Sequence, residues 1–168
     1  MPNPHMLPVE TGEMTWKAPE GWVEEMPSSS MRKGQFRLPK VAGDSEDGEV
    51  AIFHFPGQGG SVEANLQRWY GQFSQPDGRS TAEVAERTVQ QVNGLQQTLV
   101  TFNGTYLFKA NLMSPDPPVE KPGYRMLAGV VETDAGPWFV KATGPEATMK
   151  HWEESFHEFM KTFKLTTL

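Results

Sequence analysis

The chain has no cysteine, which excludes a disulfide framework, thiol catalysis and any cysteine-based zinc site. It also lacks a run of Lys and Arg: 15 basic residues stand against 21 acidic ones, for a net charge of −6. Binding a phosphate backbone needs concentrated positive charge, so no nucleic-acid partner is expected. No stretch approaches the roughly 20 apolar residues of a membrane span, and the opening MPNPHMLPVETGEM has neither a charged n-region nor an apolar core. No transmembrane segment is expected. The compartment stays open between the cytoplasm and, after removal of an export signal, the periplasm or envelope.

Catalytic patterns are missing too. His5, His54, His151 and His157 show neither HxxxH nor HExxH spacing, so no metal site is read from them. Ser28, Ser29 and Ser30 sit in no GxSxG or SxxK frame. Glu153 and Glu154 are adjacent and diverge by about 100° on a helix, as solvated surface does. No catalytic residue, metal or cofactor is assigned.

What is present is a core. With 168 residues and 37% apolar content, the chain reads as one globular domain, residues 14–168, after a Pro-rich linker, residues 1–13. The centre is Glu49 to Phe73, EVAIFHFPGQGGSVEANLQRWYGQF. Val50 and Ile52 alternate with Ala51 and Phe53, so both faces of a central strand carry apolar groups and both need cover. From Ser61 the period becomes helical, with Val62, Leu66, Trp69, Tyr70 and Phe73 on one stripe.

Around this centre the chain reads as Thr15 to Ala18 in a short strand, a Pro19-Glu20-Gly21-Trp22 turn, and a strand over Ser28 to Pro39. Simple alternation puts Arg32 and Gly34 on the face of Phe36 and Leu38. The acidic loop Gly43 to Gly48 lacks the ligand alternation of an EF-hand and reads as a strand connection. Ser80 to Glu83 signals a short capped helix. Asn93-Gly94 and Asn103-Gly104 predict two hairpin turns in a meander. Met113 to Gly123, with four prolines, predicts a loop. Tyr124 to Thr133 and Pro137 to Thr143 predict a central hairpin, and Met149, Trp152, Phe156, Phe159, Met160 and Phe163 a core-facing last helix.

Two candidate sites follow. Ser61, Asn65, Arg68 and Gln72 form a polar stripe beside Trp69 on the first helix. Where this edge meets the strand carrying Ser30 and Arg32, the two guanidinium forks would take a carboxylate or phosphate. Ser30, Asn65 and Gln72 would add neutral hydrogen bonds and Trp69 an apolar wall. Alternatively both arginines are satisfied internally. The second site is the corner at Gly57, Gly59, Gly60 and Ser61, where helix-terminal amides could hold an anion, or where Ser61 is simply an N-cap. A third possibility is an enzyme of unrecognised type with His54 in a cleft under the Met113 to Gly123 loop.

Pro19-Glu20-Gly21-Trp22, Ser29-Ser30-Met31-Arg32, Gly59-Gly60 with Asn65 and Arg68-Trp69, and Trp138-Phe139 leading to Thr143-Gly144-Pro145 resemble a group of exported bacterial proteins of unassigned function, regarded as lipoproteins, with a PsbP-like α/β/α fold. The chain departs from that group in showing no export signal or lipobox cysteine. The resemblance implies an α+β architecture. An α/β/α sandwich would have a central, mainly antiparallel sheet of about six to seven strands and two main covering helices. It also implies a non-catalytic binding or accessory module of the bacterial cell envelope, with a protein or small anionic ligand as partner.

Overall fold

The computed structural model describes residues 12–56, 60–109 and 113–166. Ten strands and three helices are assigned among them: β1 Glu13–Thr15, β2 Val23–Glu24, β3 Arg32–Leu38, β4 Gly48–His54, α1 Val62–Tyr70, β5 Phe73–Ser74, α2 Thr81–Val84, β6 Glu86–Val92, β7 Leu95–Phe108, β8 Val119–Val131, β9 Trp138–Pro145, α3 Glu146–Met160 and β10 Lys164–Thr166. Eight strands make one antiparallel sheet in the order β2-β3-β4-β9-β8-β7-β5, with β6 paired to β7 beyond the end of β5, while β1 and β10 pair separately. The sheet is larger than the six to seven strands expected, because the two-residue strands β2 and β5 extend it. β1 begins one residue before the expected start of the domain, and Met14 pairs with Leu165 of β10.

The doubly apolar strand is central, as its sequence requires. Val50 and Ile52 of β4 are fully buried under α3 with Phe36, Leu38, Val140 and Leu127. On the opposite face α1 lays Leu66, Trp69 and Tyr70 over Val100, Phe102, Met126, Ala128, Val130 and Phe139. The two helices differ in reach: at 1.5 Å per residue, α3 is about 22 Å long and α1 only about 13 Å. Part of the sheet on the α1 side is therefore left without helical cover.

Three local expectations are corrected. Asn93-Gly94 does turn, with φ of 51° and 80° as a type I′ hairpin needs, but β7 runs straight through Asn103-Gly104. There the Asn103 side chain bonds Glu146 and Arg125. A Cβ on Gly104 would lie 2.8 Å from the Ser74 backbone oxygen, so this glycine admits β5 rather than turning the chain. The loop after Met113 ends earlier than expected, because β8 starts at Val119 and takes Pro122 at the irregularity opposite Gly104/Tyr106, where a proline costs no ladder bond. Finally, β3 is irregular between Arg32 and Gly34, which pair with Phe53 and Ile52 respectively. This shift turns Arg32 away from the face of Phe36 and onto the α1 side, where it meets Phe53 and Glu49.

Candidate functional site

At the margin of the patch that α1 covers, the sheet carries polar residues on small ones. Gln35, Ala51, Lys141 and Ala128 stand in register on β3, β4, β9 and β8. All lie on the face opposite Phe36, Val50, Val140 and Leu127, since successive strand residues alternate. Alanines flank Lys141 on both sides and leave room for long side chains above the sheet.

Those side chains are mostly cationic. Arg32, from β3, places Nη1 2.5 Å from Glu49 Oε1 and 2.9 Å from Gln35 Oε1, with its guanidinium 5.8 Å from the Phe53 ring centre. Gln35 is buried and satisfied at both ends, also donating to Glu25 and accepting from the Ser28 amide. Lys141 donates to Gln72 Oε1 and lies 5.7 Å from the centre of the Tyr106 ring. Arg68 donates to Asn65 Oδ1 at 2.5 Å, and Asn65 in turn donates to the Ser61 carbonyl. Burial and the charges of Arg32 and Arg68, partly offset by Glu49, push the Lys141 amine down to about 8. Tyr106 is raised by burial and by Glu49. Among the described residues, neither Arg68 nor Lys141 makes an ion pair; each donates to a neutral amide oxygen.

Of the residues singled out by sequence, Gln72 accepts from Lys141, and the charges of Arg32 and Arg68 act on that amine. Arg32 is partly satisfied within the fold, whereas Arg68 is exposed. Asn65 is buried and positions Arg68. Trp69 does not wall the site: it is buried with its ring edge-on to Phe139, 5.9 Å away. Ser30 is exposed in the turn before β3. The sequence does not single out Lys141. Its one signal is a lysine in the apolar run Trp138-Phe139-Val140-Lys141-Ala142, which costs free energy to bury unless it finds a partner.

At the glycine corner, Ser61 Oγ accepts the Ala64 amide as the N-cap of α1. Gly60 is exposed with φ 71°, while Gly57 and Gly59 lie outside the described residues. A groove of about 510 Å³ opens beside this terminus, lined by Ser61, Glu63, Arg87, Gln96, Thr98 and Glu132 among others. Glu63 in the first turn is paired with Arg87 at 2.6 Å, and two carboxylates oppose an anion there.

His54 is not under the Met113 to Gly123 segment. It stacks flat on Trp138, with ring centres 4.3 Å apart, and its Nε2 is 3.2 Å from the Ala135 carbonyl. Trp138 is opposite Val131 at the far end of the 13-residue β8 from Val119. Burial holds the His54 pKa below its ordinary value. The acidic loop is used structurally: Asp44 accepts from the Thr148 amide and hydroxyl at the start of α3, Glu46 pairs with Lys121, and Asp47 accepts the Lys40 amide. No helix among the described residues is long and apolar enough to cross a membrane.

No family model matches the sequence, and no characterised protein matches it by sequence. Solved structures do match in fold. A Pseudomonas aeruginosa protein of unknown function, PA94, superposes with a TM-score of 0.56 at 14% identity, over 94% of this chain and 100% of its own. The cyanobacterial PsbP protein CyanoP of Synechocystis gives 0.52 at 13% identity, over 91% and 86%. LpqN, involved in cell envelope biogenesis of Mycobacterium tuberculosis, gives 0.53 at 10% identity, over 94% and 86%. The chain has a PsbP-like fold. At these identities the likeness concerns architecture alone.

Proposed function

We propose that the protein is a non-catalytic binding module whose ligand presents a carboxylate or phosphate to the cluster of Arg32, Arg68 and Lys141. One observation carries this reading: in a chain of net charge −6, Arg68 and Lys141 each donate to a neutral amide, Asn65 of α1 and Gln72 just past its end. Positive charge only partly offset, by Glu49, raises the free energy of the unliganded protein, and an incoming anion relieves it. Tyr106 offers an aromatic face beside the amine for the ligand's apolar part. Gln72 and Asn65 hold the cations in place.

An accessory role in the bacterial cell envelope is proposed with it, supported by the fold shared with LpqN. Fractionation of the source cells tests that part, since recovery in the cytosol alone overturns it. The binding reading is tested by thermal shift with phosphates and carboxylates on wild type and Arg68→Ala. A saturating anion at a hundredfold excess over its Kd stabilises by about 2.7 kcal/mol, which is a Tm rise of roughly 5–10 °C for a chain of this size. Wild type should show the rise and Arg68→Ala should lose most of it. An equal rise in both proteins, or none in either, overturns the reading.

A further inference from the structure

We propose that the groove beside the start of α1 binds a neutral, hydroxyl-rich molecule of the saccharide class, with the Thr98 hydroxyl at its floor. This is a second site, separate from the anion-binding reading: none of Arg32, Arg68, Gln72 and Lys141 lines the groove. Its floor is sheet. Thr98 of β7 stands in register between Val89 of β6 and Val130 of β8, and only 2% of the residue is exposed. Among the described residues the other buried polar side chains, Gln35, Asn65, Thr81, Gln97 and Thr148, are each bonded within the fold. No such bond holds the Thr98 hydroxyl. A buried hydroxyl without a partner is costly, and no fully enclosed polar side-chain atom here is left unbonded. The Thr98 hydroxyl therefore opens onto the groove that the residue lines, and its hydrogen bond is left for an occupant.

The walls suit the same chemistry. Gln96 donates to Glu132 at 2.8 Å and Arg87 donates to Glu63 at 2.6 Å, so planar polar groups from β6, β7, α1 and the turn after β8 are fixed in place before any ligand arrives. Carboxylates and a guanidinium have more hydrogen-bonding sites than one such bond uses. Their remaining sites can take adjacent hydroxyls of a sugar ring, while Val89, 58% exposed, and Pro137 offer apolar surface to its C–H face. Charge narrows the ligand class further. Two carboxylates on the lining oppose an anion and the Arg87 guanidinium opposes a cation, which leaves uncharged hydroxyls as the best match. The volume of about 510 Å³ falls within the roughly 300–1,000 Å³ of small-ligand clefts.

The test is a heteronuclear NMR titration of the whole protein with maltose, cellobiose and N-acetylglucosamine, with glucuronate as an anionic control. A shallow site without an aromatic platform binds weakly, with Kd on the order of 1 mM. At least one neutral probe should give saturable shifts at Thr98, Gln96, Glu132 and Glu63, and glucuronate should bind there less well. Thr98→Val should weaken that binding roughly tenfold without lowering the thermal midpoint, because no bond within the fold is lost. Glu132→Ala, at an exposed position, should weaken it as well. No saturable shift with any of the three sugars overturns the proposal, as does tighter binding of glucuronate in the groove. Unchanged affinity in Thr98→Val overturns it too. A marked loss of stability in Thr98→Val would show that the fold itself uses the hydroxyl, and that also overturns it.

Discussion

Lys141, in the middle of β9, donates its ammonium to the side-chain oxygen of Gln72, just past the end of α1. This contact links the central hairpin to the short helix that leaves part of the sheet uncovered. It also joins two residues far apart in sequence, at an amine on which the charges of both Arg32 and Arg68 act.

The first expectation concerns pH. The Lys141 amine titrates at about 8 in the folded protein against its ordinary 10.5, so between these values the unfolded chain binds the additional proton. Stability contributed by the site therefore rises as pH increases through that window. Denaturant titrations of wild type and Lys141→Met should show wild type gaining on the variant between about pH 8 and about pH 10. A constant gap, or one moving the other way, contradicts the assignment.

Trp69→Ala separates core from surface. Because the ring is buried against Phe139, truncation should cost about 3–5 kcal/mol in urea denaturation. A loss below about 1 kcal/mol would place the indole at the surface after all.

Arg125 should be costly to remove for a different reason. Its side chain is 13% exposed, ion-paired to Glu153 at 2.6 Å and bonded to Asn103. Arg125→Met leaves a partly buried carboxylate and amide oxygen without their donor, a loss of about 3 kcal/mol. The same measurement on Glu153→Gln should cost less, because the amide keeps an acceptor for the guanidinium.

Gly104→Ala tests why this glycine is where it is. The added methyl meets the Ser74 carbonyl and Gln75 Nε2, so β5 must move, at about 1–3 kcal/mol. If the position were a tolerant exposed turn, alanine would change little.

Much of the architecture is legible in the sequence because it is local. The doubly apolar β4, the helical stripe from Val62 to Tyr70, the Asn93-Gly94 hairpin and the core stripe of α3 each follow from period and turn chemistry. Gly104 misleads because the same dipeptide that makes a type I′ turn can also admit a neighbouring strand. The facing of Arg32 is hidden by the irregularity before Gly34, which no alternation rule anticipates. The candidate site was half legible. A stripe of Asn65, Arg68 and Gln72 stands out on a helix, but Lys141 is read within an apolar strand. Only the antiparallel pairing of β4 with β9, remote in sequence, brings that lysine toward Arg32.

The central claim is that the cation cluster at the margin of α1 binds an anion. Its most direct test is a heteronuclear NMR titration of the wild type with inorganic phosphate and with a small carboxylate, reading backbone amides and the side chains of Lys141 and Arg68. The account expects saturable shifts centred on Lys141, Gln72, Ala51 and Arg68, which disappear in Arg68→Ala. Shifts centred on Gly60 to Glu63, or no saturable change anywhere, would contradict it.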